Sequence, residues 1–187
     1  GEDEETDENL RSRFYTQVQA PSTSGNADNY KKWAMEVEGC GKAKVFPLWD
    51  GPGTVKVIVV DENMAIDPNL PDRVAEYIET VRPIGASVTV TSPEEKVITV
   101  SANVILDGSK TLEEVKEAFE VAYSEYFKSI VFVTYSVSYA RIGSMLLSTE
   151  GVQDYSDLLI NGGTANITLE ADEMPIAGTV TLTEVSS

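Results

Sequence analysis

The amino-acid sequence predicts an α+β protein of two small mixed α/β modules, with helices packed on mostly antiparallel strands. Three observations lead there. Some stretches repeat apolar residues at the spacing of a helix face, while others alternate them with polar residues as half-buried strands do. Clusters of glycine, proline, asparagine and serine separate these stretches at short intervals. The pattern also shifts along the chain, with β-branched alternation setting in after Pro83. The expected organisation is a helix–helix–hairpin–helix module over 1–85, then a second α+β module with C-terminal strands over 86–187.

In the first module, Leu10, Phe14 and Val18 lie on one helical face. Thr6 or Asp7 suits the cap of that helix, and Asp7 and Glu8 suit its positive end. The residues from Ala20 to Ala27 read as a loop. A second helix is predicted from Asp28 to Glu38, with Tyr30, Trp33, Ala34 and Val37 inward and Gly39 or Gly41 ending it. Ala43 to Trp49 and Thr54 to Asp61 read as a hairpin-like pair of strands around the turn Asp50-Gly51-Pro52-Gly53. A third helix is predicted from Pro71 to Val81, with Val74, Ile78 and Val81 buried. Trp33 and Trp49 both fit a core role at these spacings.

In the second module, Ser87 to Thr91 and Lys96 to Leu106 read as strands joined by Ser92-Pro93-Glu94-Glu95. The clearest helix follows, from Leu112 to Lys128. Thr111 and Glu114 form a capping-box pattern at its start, and Leu112, Val115, Phe119, Ala122 and Tyr126 make its apolar stripe. Ile130 to Tyr135 suggests a short strand and Val137 to Leu147 a helix closed by Gly151. Val152 to Ile160, Ala165 to Glu170 and Thr179 to Val185 read as strands, with Asn161-Gly162-Gly163 a turn that needs positive φ.

Composition narrows the chemistry. The chain carries 31 acidic and 14 basic residues, a formal net charge of −17. Such a surface repels nucleic-acid phosphates and anionic lipid headgroups, which argues against both as partners. No apolar run approaches the roughly 20 residues a membrane-spanning helix needs. Cys40 is the single cysteine, so no intrachain disulfide forms, as suits a reducing compartment. Histidine is absent, which removes the usual general base and the commonest metal ligand. The glycines match neither the dinucleotide fingerprint nor a phosphate-binding loop. The acidic clusters at 3–8 and 170–173 lack the alternating calcium-loop pattern. The expectation is no enzyme, no cofactor and no metal.

Five words along the chain carry a resemblance. They are the acidic segment Gly1 to Glu8 with Leu10-Arg11-Ser12-Arg13, and Gly25-Asn26 leading to Tyr30-Lys31-Lys32-Trp33-Ala34. Next come Gly51-Pro52-Gly53-Thr54-Val55, Val81-Arg82-Pro83-Ile84-Gly85 and Glu150-Gly151-Val152-Gln153-Asp154. In this order they resemble the baseplate J-like proteins of contractile-tailed phages and of their prophage and tailocin relatives. Departures fall in turns: Asn26 stands where a second glycine is common, and Glu150 replaces a usual proline. Members of that family are longer, so the resemblance implies the C-terminal part of such a protein.

What the resemblance implies is a non-catalytic wedge subunit that helps build the ring around the tail hub. Its partners would be other baseplate wedge and hub proteins, and it would be oligomeric in the assembled ring. Its place would be the virion tail baseplate, assembled in the bacterial host cytoplasm. The alternative is a tail-associated module that recognises a host surface glycan, which requires an exposed aromatic platform. Arg11, Arg13 and Arg82 are candidate interface anchors, since arginine is over-represented in protein contacts. Ordinary surface ion pairing is the competing account of all three.

Overall fold

A computed structural model describes residues 26–187 of the protein. The helix expected around Leu10, Phe14 and Val18, with Arg11 and Arg13, lies outside the described residues. The described residues divide into two compact units, one covering 26–62 and 66–92, the other 63–65 and 93–187.

In the first unit, α1 (Ala27–Glu36) starts where the Asn26 side chain accepts a hydrogen bond from the Asn29 N–H at 2.9 Å. Its Tyr30 and Ala34 are buried, and Trp33 packs edge-on against Tyr30 with ring centres 5.1 Å apart. β1 (Cys40–Pro47) and β2 (Thr54–Asp61) pair antiparallel, as expected of the hairpin. Gly41 sits at a register irregularity beside Asp61, where a Cβ would run into the Asp61 carbonyl. α2 (Leu70–Val81) then crosses the sheet, burying Leu70, Val74 and Ile78, while Val81 is only half-buried.

The crossover delivers β3 (Ser87–Thr91) parallel to β2, with Thr54 opposite Ser87 and Ile58 opposite Thr91. The first unit therefore runs to Ser92 and includes β3, rather than ending at residue 85. The expected boundary was misplaced because Ser87 to Thr91 alternates like any half-buried strand. Nothing in its own residues says which sheet it joins. The core of this unit gathers Tyr30, Ala34, Val55, Val57, Val59 and Ile78 between helices and sheet.

The second unit is organised by its longest strand, β4 (Glu94–Leu106). β6 (Val152–Ile160) runs antiparallel on one side of it and β8 (Glu173–Glu184) parallel on the other. Each three-stranded sheet is thus mixed, with one antiparallel and one parallel pairing. α3 (Leu112–Ile130) packs on β8 and α4 (Tyr139–Ser148) on β6. The capping box of α3 forms as its sequence predicts, with the Thr111 and Glu114 side chains exchanging hydrogen bonds with each other's backbone N–H.

The buried stripe of α3 is Val115, Phe119, Tyr123, Phe127 and Ile130. Tyr126 instead lies half-buried at the margin, its hydroxyl accepting from the Ser138 N–H at 3.0 Å. Four-residue steps drift around a helix, so the choice between adjacent tyrosines depends on where the sheet lies. Residues 131–134 form a turn rather than a strand, with Phe132 at φ 56° and the N–H groups of Val133 and Thr134 both bonded to the Ile130 carbonyl.

The expected strand over 165–170 shrinks to β7 (Ile167–Thr168), which pairs with β5 (Ser136–Val137). Asn161 and Gly162 do take positive φ, 47° and 75°, and Ile160 and Gly163 exchange both backbone hydrogen bonds at 2.9 Å. The hairpin stops there because Asn161 turns to β4. Its side chain accepts from the Thr99 N–H at 2.7 Å and donates to the Val97 carbonyl at 3.1 Å.

Candidate assembly surface

Two turns meet at one end of the first sheet. The β1–β2 turn is closed by the Leu48 N–H donating to the Thr54 carbonyl at 2.8 Å and by the Thr54 hydroxyl donating to the Gly51 carbonyl at 2.7 Å. The turn bends sharply enough to hold Leu48 at φ 58°, beside glycines Gly51 and Gly53 at φ 95° and 75°. The Gly53 carbonyl then accepts from the Ser87 N–H at 2.8 Å, which ties this turn to the loop between α2 and β3.

Arg82 shapes that second loop. Its Nε and Nη2 donate to the two carboxylate oxygens of Glu79, each at 2.8 Å, in a fork that only a guanidinium supplies. Its Nη1 donates to the carbonyls of Ala86 at 2.7 Å and Pro83 at 3.3 Å. The paired guanidinium holds the Glu79 carboxyl below its usual range, so the pair stays charged. With Gly85 at φ 94°, the loop turns its Ile84 side chain wholly into solvent, at 105% of full exposure.

Leu48 and Trp49 are the other exposed apolar groups at this end, 66% and 48% exposed. Trp49 thus departs from the core role expected of it, because it lies past the end of β1. Trp33 is half-buried against the core. Lys56 Nζ stands 5.5 Å from the centre of the Trp49 ring. Among the described residues Trp49 is the one exposed aromatic side chain. The signal for Ile84 lay in Arg82-Pro83-Ile84-Gly85, where an apolar residue sits inside a turn word with no periodic strand or helix to bury it.

The second unit offers a different surface. On the outer side of α3, Val121 is 66% exposed among Glu114, Glu117, Glu120 and Glu125. Among the described residues no group of three acidic, cysteine or histidine side chains is placed to hold a metal ion.

Cys40 is buried at the start of β1, where burial raises its thiol above the ordinary range. Of the three arginines singled out as interface anchors, only Arg82 is described. Its side chain is 23% exposed and its donors meet Glu79 and the loop carbonyls.

Comparison with known proteins bears on both units. The family model described as the baseplate J-like central domain matches residues 22–92, and that of the baseplate J-like protein C-terminal domain matches residues 98–183. The chain belongs to the baseplate J-like proteins. The two matches part where the two units of this J-like chain divide.

Among relatives, the phage-like element PBSX protein XkdT of Bacillus subtilis (strain 168) is 38% identical over 192 residues, covering 98% of this chain and 55% of its own length. Baseplate protein gp47 of Escherichia phage Mu is 33% identical over 168 residues, covering 83% of this chain and 46% of its own. The J-like chain spans about half the length of the curated relatives it matches. Its fold is also that of a chain in the cryo-EM structure of the anti-feeding prophage baseplate. There the TM-score is 0.61 at 13% identity, over 92% of this chain and 42% of that one.

Proposed function

We propose that this J-like chain is a structural, non-catalytic part of a phage-like contractile tail baseplate, where it assembles with other baseplate wedge and hub proteins. The observation that carries the reading is the match of two successive baseplate domains to nearly all of the described chain. The geometry suits a contact-making role. An exposed apolar patch on a hydrogen-bonded turn is a common mark of a protein interface. Leu48, Trp49 and Ile84 are exposed apolar side chains on two turns that a backbone bond ties together, held by bonds that already exist in the unbound chain.

In this reading Arg82 serves the interface by shaping the Ile84 loop, and Arg11 and Arg13 remain candidate anchors for a neighbouring subunit. The place of action is the tail baseplate of a phage or phage-derived particle, put together in the bacterial host cytoplasm. Affinity capture with the full-length parent protein, from source cells treated to induce prophage genes, tests it by mass spectrometry. Recovery of sheath, spike and wedge proteins is the expected result. Recovery of unrelated proteins alone would overturn it.

A further inference from the structure

Where β6 leaves β4, Asn161 stands one step beyond the last strand pair, Val100 with Ile160, and so opposite Thr99. An antiparallel ladder exchanges two backbone bonds at such a pair. Here the backbone supplies one, from the Asn161 N–H to the Thr99 carbonyl at 2.9 Å. At φ 47° the chain then turns off the sheet, and the Asn161 side chain stands in for its own backbone carbonyl. Its Oδ1 accepts from the Thr99 N–H at 2.7 Å and from the Thr99 hydroxyl at 3.1 Å, while its Nδ2 donates to the Val97 carbonyl at 3.1 Å.

Asn161 is also the only asparagine of the chain that precedes a glycine. In that pairing a backbone nitrogen attacks the preceding side chain most readily, because glycine has no Cβ to obstruct the approach. Gly162 is exposed, at φ 75°, and its N–H makes no hydrogen bond among the described residues. The attacking nitrogen is unencumbered. Asn161 is exposed as well, so water reaches both groups. Its amide, by contrast, is held against β4 through both the oxygen and the nitrogen.

We propose that Asn161 and Gly162 form a latent deamidation site, shut while the Asn161 side chain bridges to β4 and open when the end of β6 peels away. In the reaction the Gly162 nitrogen gives its proton to solvent base and bonds to the Asn161 Cγ. The Cγ–Nδ2 bond breaks, Nδ2 takes a proton from water, and ammonia leaves behind a cyclic imide. Water then adds at either imide carbonyl, leaving aspartate or isoaspartate at position 161. Ring closure requires Cγ to swing towards Gly162, and the side-chain bonds to Val97 and Thr99 oppose that swing. The product does not latch again in the same way. A carboxylate has no N–H to give the Val97 carbonyl, and isoaspartate lengthens the backbone of the turn. Conversion is therefore a one-way record that this end of the strand pair has opened.

The test incubates the full 187-residue chain in mildly alkaline buffer, folded and in urea, and reads conversion at each asparagine by peptide mass spectrometry. Asn161 should convert first in urea. In the folded chain it should convert at least about tenfold more slowly, the factor in population that one or two such bonds supply. Thr99→Ala removes the hydroxyl donor alone, so it should raise the folded rate and leave the urea rate unchanged. Asn161→Asp should quicken amide exchange at Thr99 and over residues 158–160 while α3 exchanges as before. Should either variant fail to fold, the folded and urea rates of the parent chain decide by themselves. A folded rate that equals or exceeds the urea rate, or another asparagine converting first in urea, would overturn the proposal. So would a folded rate indifferent to Thr99→Ala, or exchange at Thr99 indifferent to Asn161→Asp.

Discussion

The hydroxyl of Tyr123, buried in the second unit, donates a hydrogen bond to the backbone carbonyl of Ile98. The register of β4 against β8 slips between Ile98 and Val100, and Gly178 faces the slip so closely that a Cβ there would lie 2.7 Å from the Ile98 carbonyl oxygen. α3 thus reaches into the irregularity with one polar atom that satisfies a ladder carbonyl. Burial pushes the Tyr123 hydroxyl well above its ordinary titration range, so it remains a donor.

Tyr123→Phe is therefore expected to cost about 1–3 kcal/mol, because it leaves a buried carbonyl without its partner. Urea denaturation would measure this as a lower midpoint at unchanged slope. A variant as stable as the parent would mean that the Ile98 carbonyl finds another donor.

Gly143 in α4 sits where a Cβ would run into the Tyr155 hydroxyl of β6. Gly143→Ala should destabilise the second unit by about 1–3 kcal/mol through overpacking. Adding Tyr155→Phe should recover part of that loss. The recovery appears as a coupling term in a double-mutant cycle, and strict additivity would contradict the contact.

Acid should weaken the fold through four carboxylates, one of them Glu79, which its hydrogen bond from Arg82 holds below its usual range. Asp67 is held below its usual range chiefly by the Asn69 N–H, Asp107 by the Ser109 hydroxyl and N–H, and Glu114 by the Thr111 N–H. Each has a folded pKa below its unfolded value of about 4. Their stabilisation is complete above that value and disappears as pH falls through the folded pKa. Thermal melts taken from neutral to acid pH should therefore fall below about pH 4. Glu114→Gln, which keeps a side chain able to bond the Thr111 N–H, should flatten the fall.

Arg82→Lys should leave α2 folded yet loosen the loop it holds, since an ammonium lacks the fork that meets Glu79 and two carbonyls at once. Amide exchange at residues 84–87 should quicken while that of β2 stays slow. Equal exchange in both variants would show the loop to be held by other bonds.

Ile84→Asp changes a side chain that touches solvent alone, so stability should move by no more than about 0.5 kcal/mol. Capture of partner proteins by the full-length parent should nonetheless fall. Unchanged capture by Ile84→Asp and by Trp49→Ala together would remove this end of the first unit from the interface.

Local physics made much of this protein legible in its sequence. Thr54–Asp61, Ser87–Thr91 and Val152–Ile160 are bounded as strands by their own alternation and flanking turns, and the Thr111–Glu114 box announces α3 four residues at a time. Family resemblance was legible for a related reason, since words such as Arg82-Pro83-Ile84-Gly85 encode a turn in adjacent residues.

Tertiary structure decided the rest, because partners far apart in sequence choose one another only when the chain closes. Pairing of β3 with β2 moved the first unit's end to Ser92, and β4 chose β6 and β8 as neighbours across long connections. The sheet also picked Tyr123 over Tyr126 as the buried tyrosine. At the surface, the turns that carry the exposed Trp49 and Ile84 were brought together only by the fold, through the bond from the Ser87 N–H to the Gly53 carbonyl. Periodicity reports which residues share a face, and only the assembled sheet determines what that face meets.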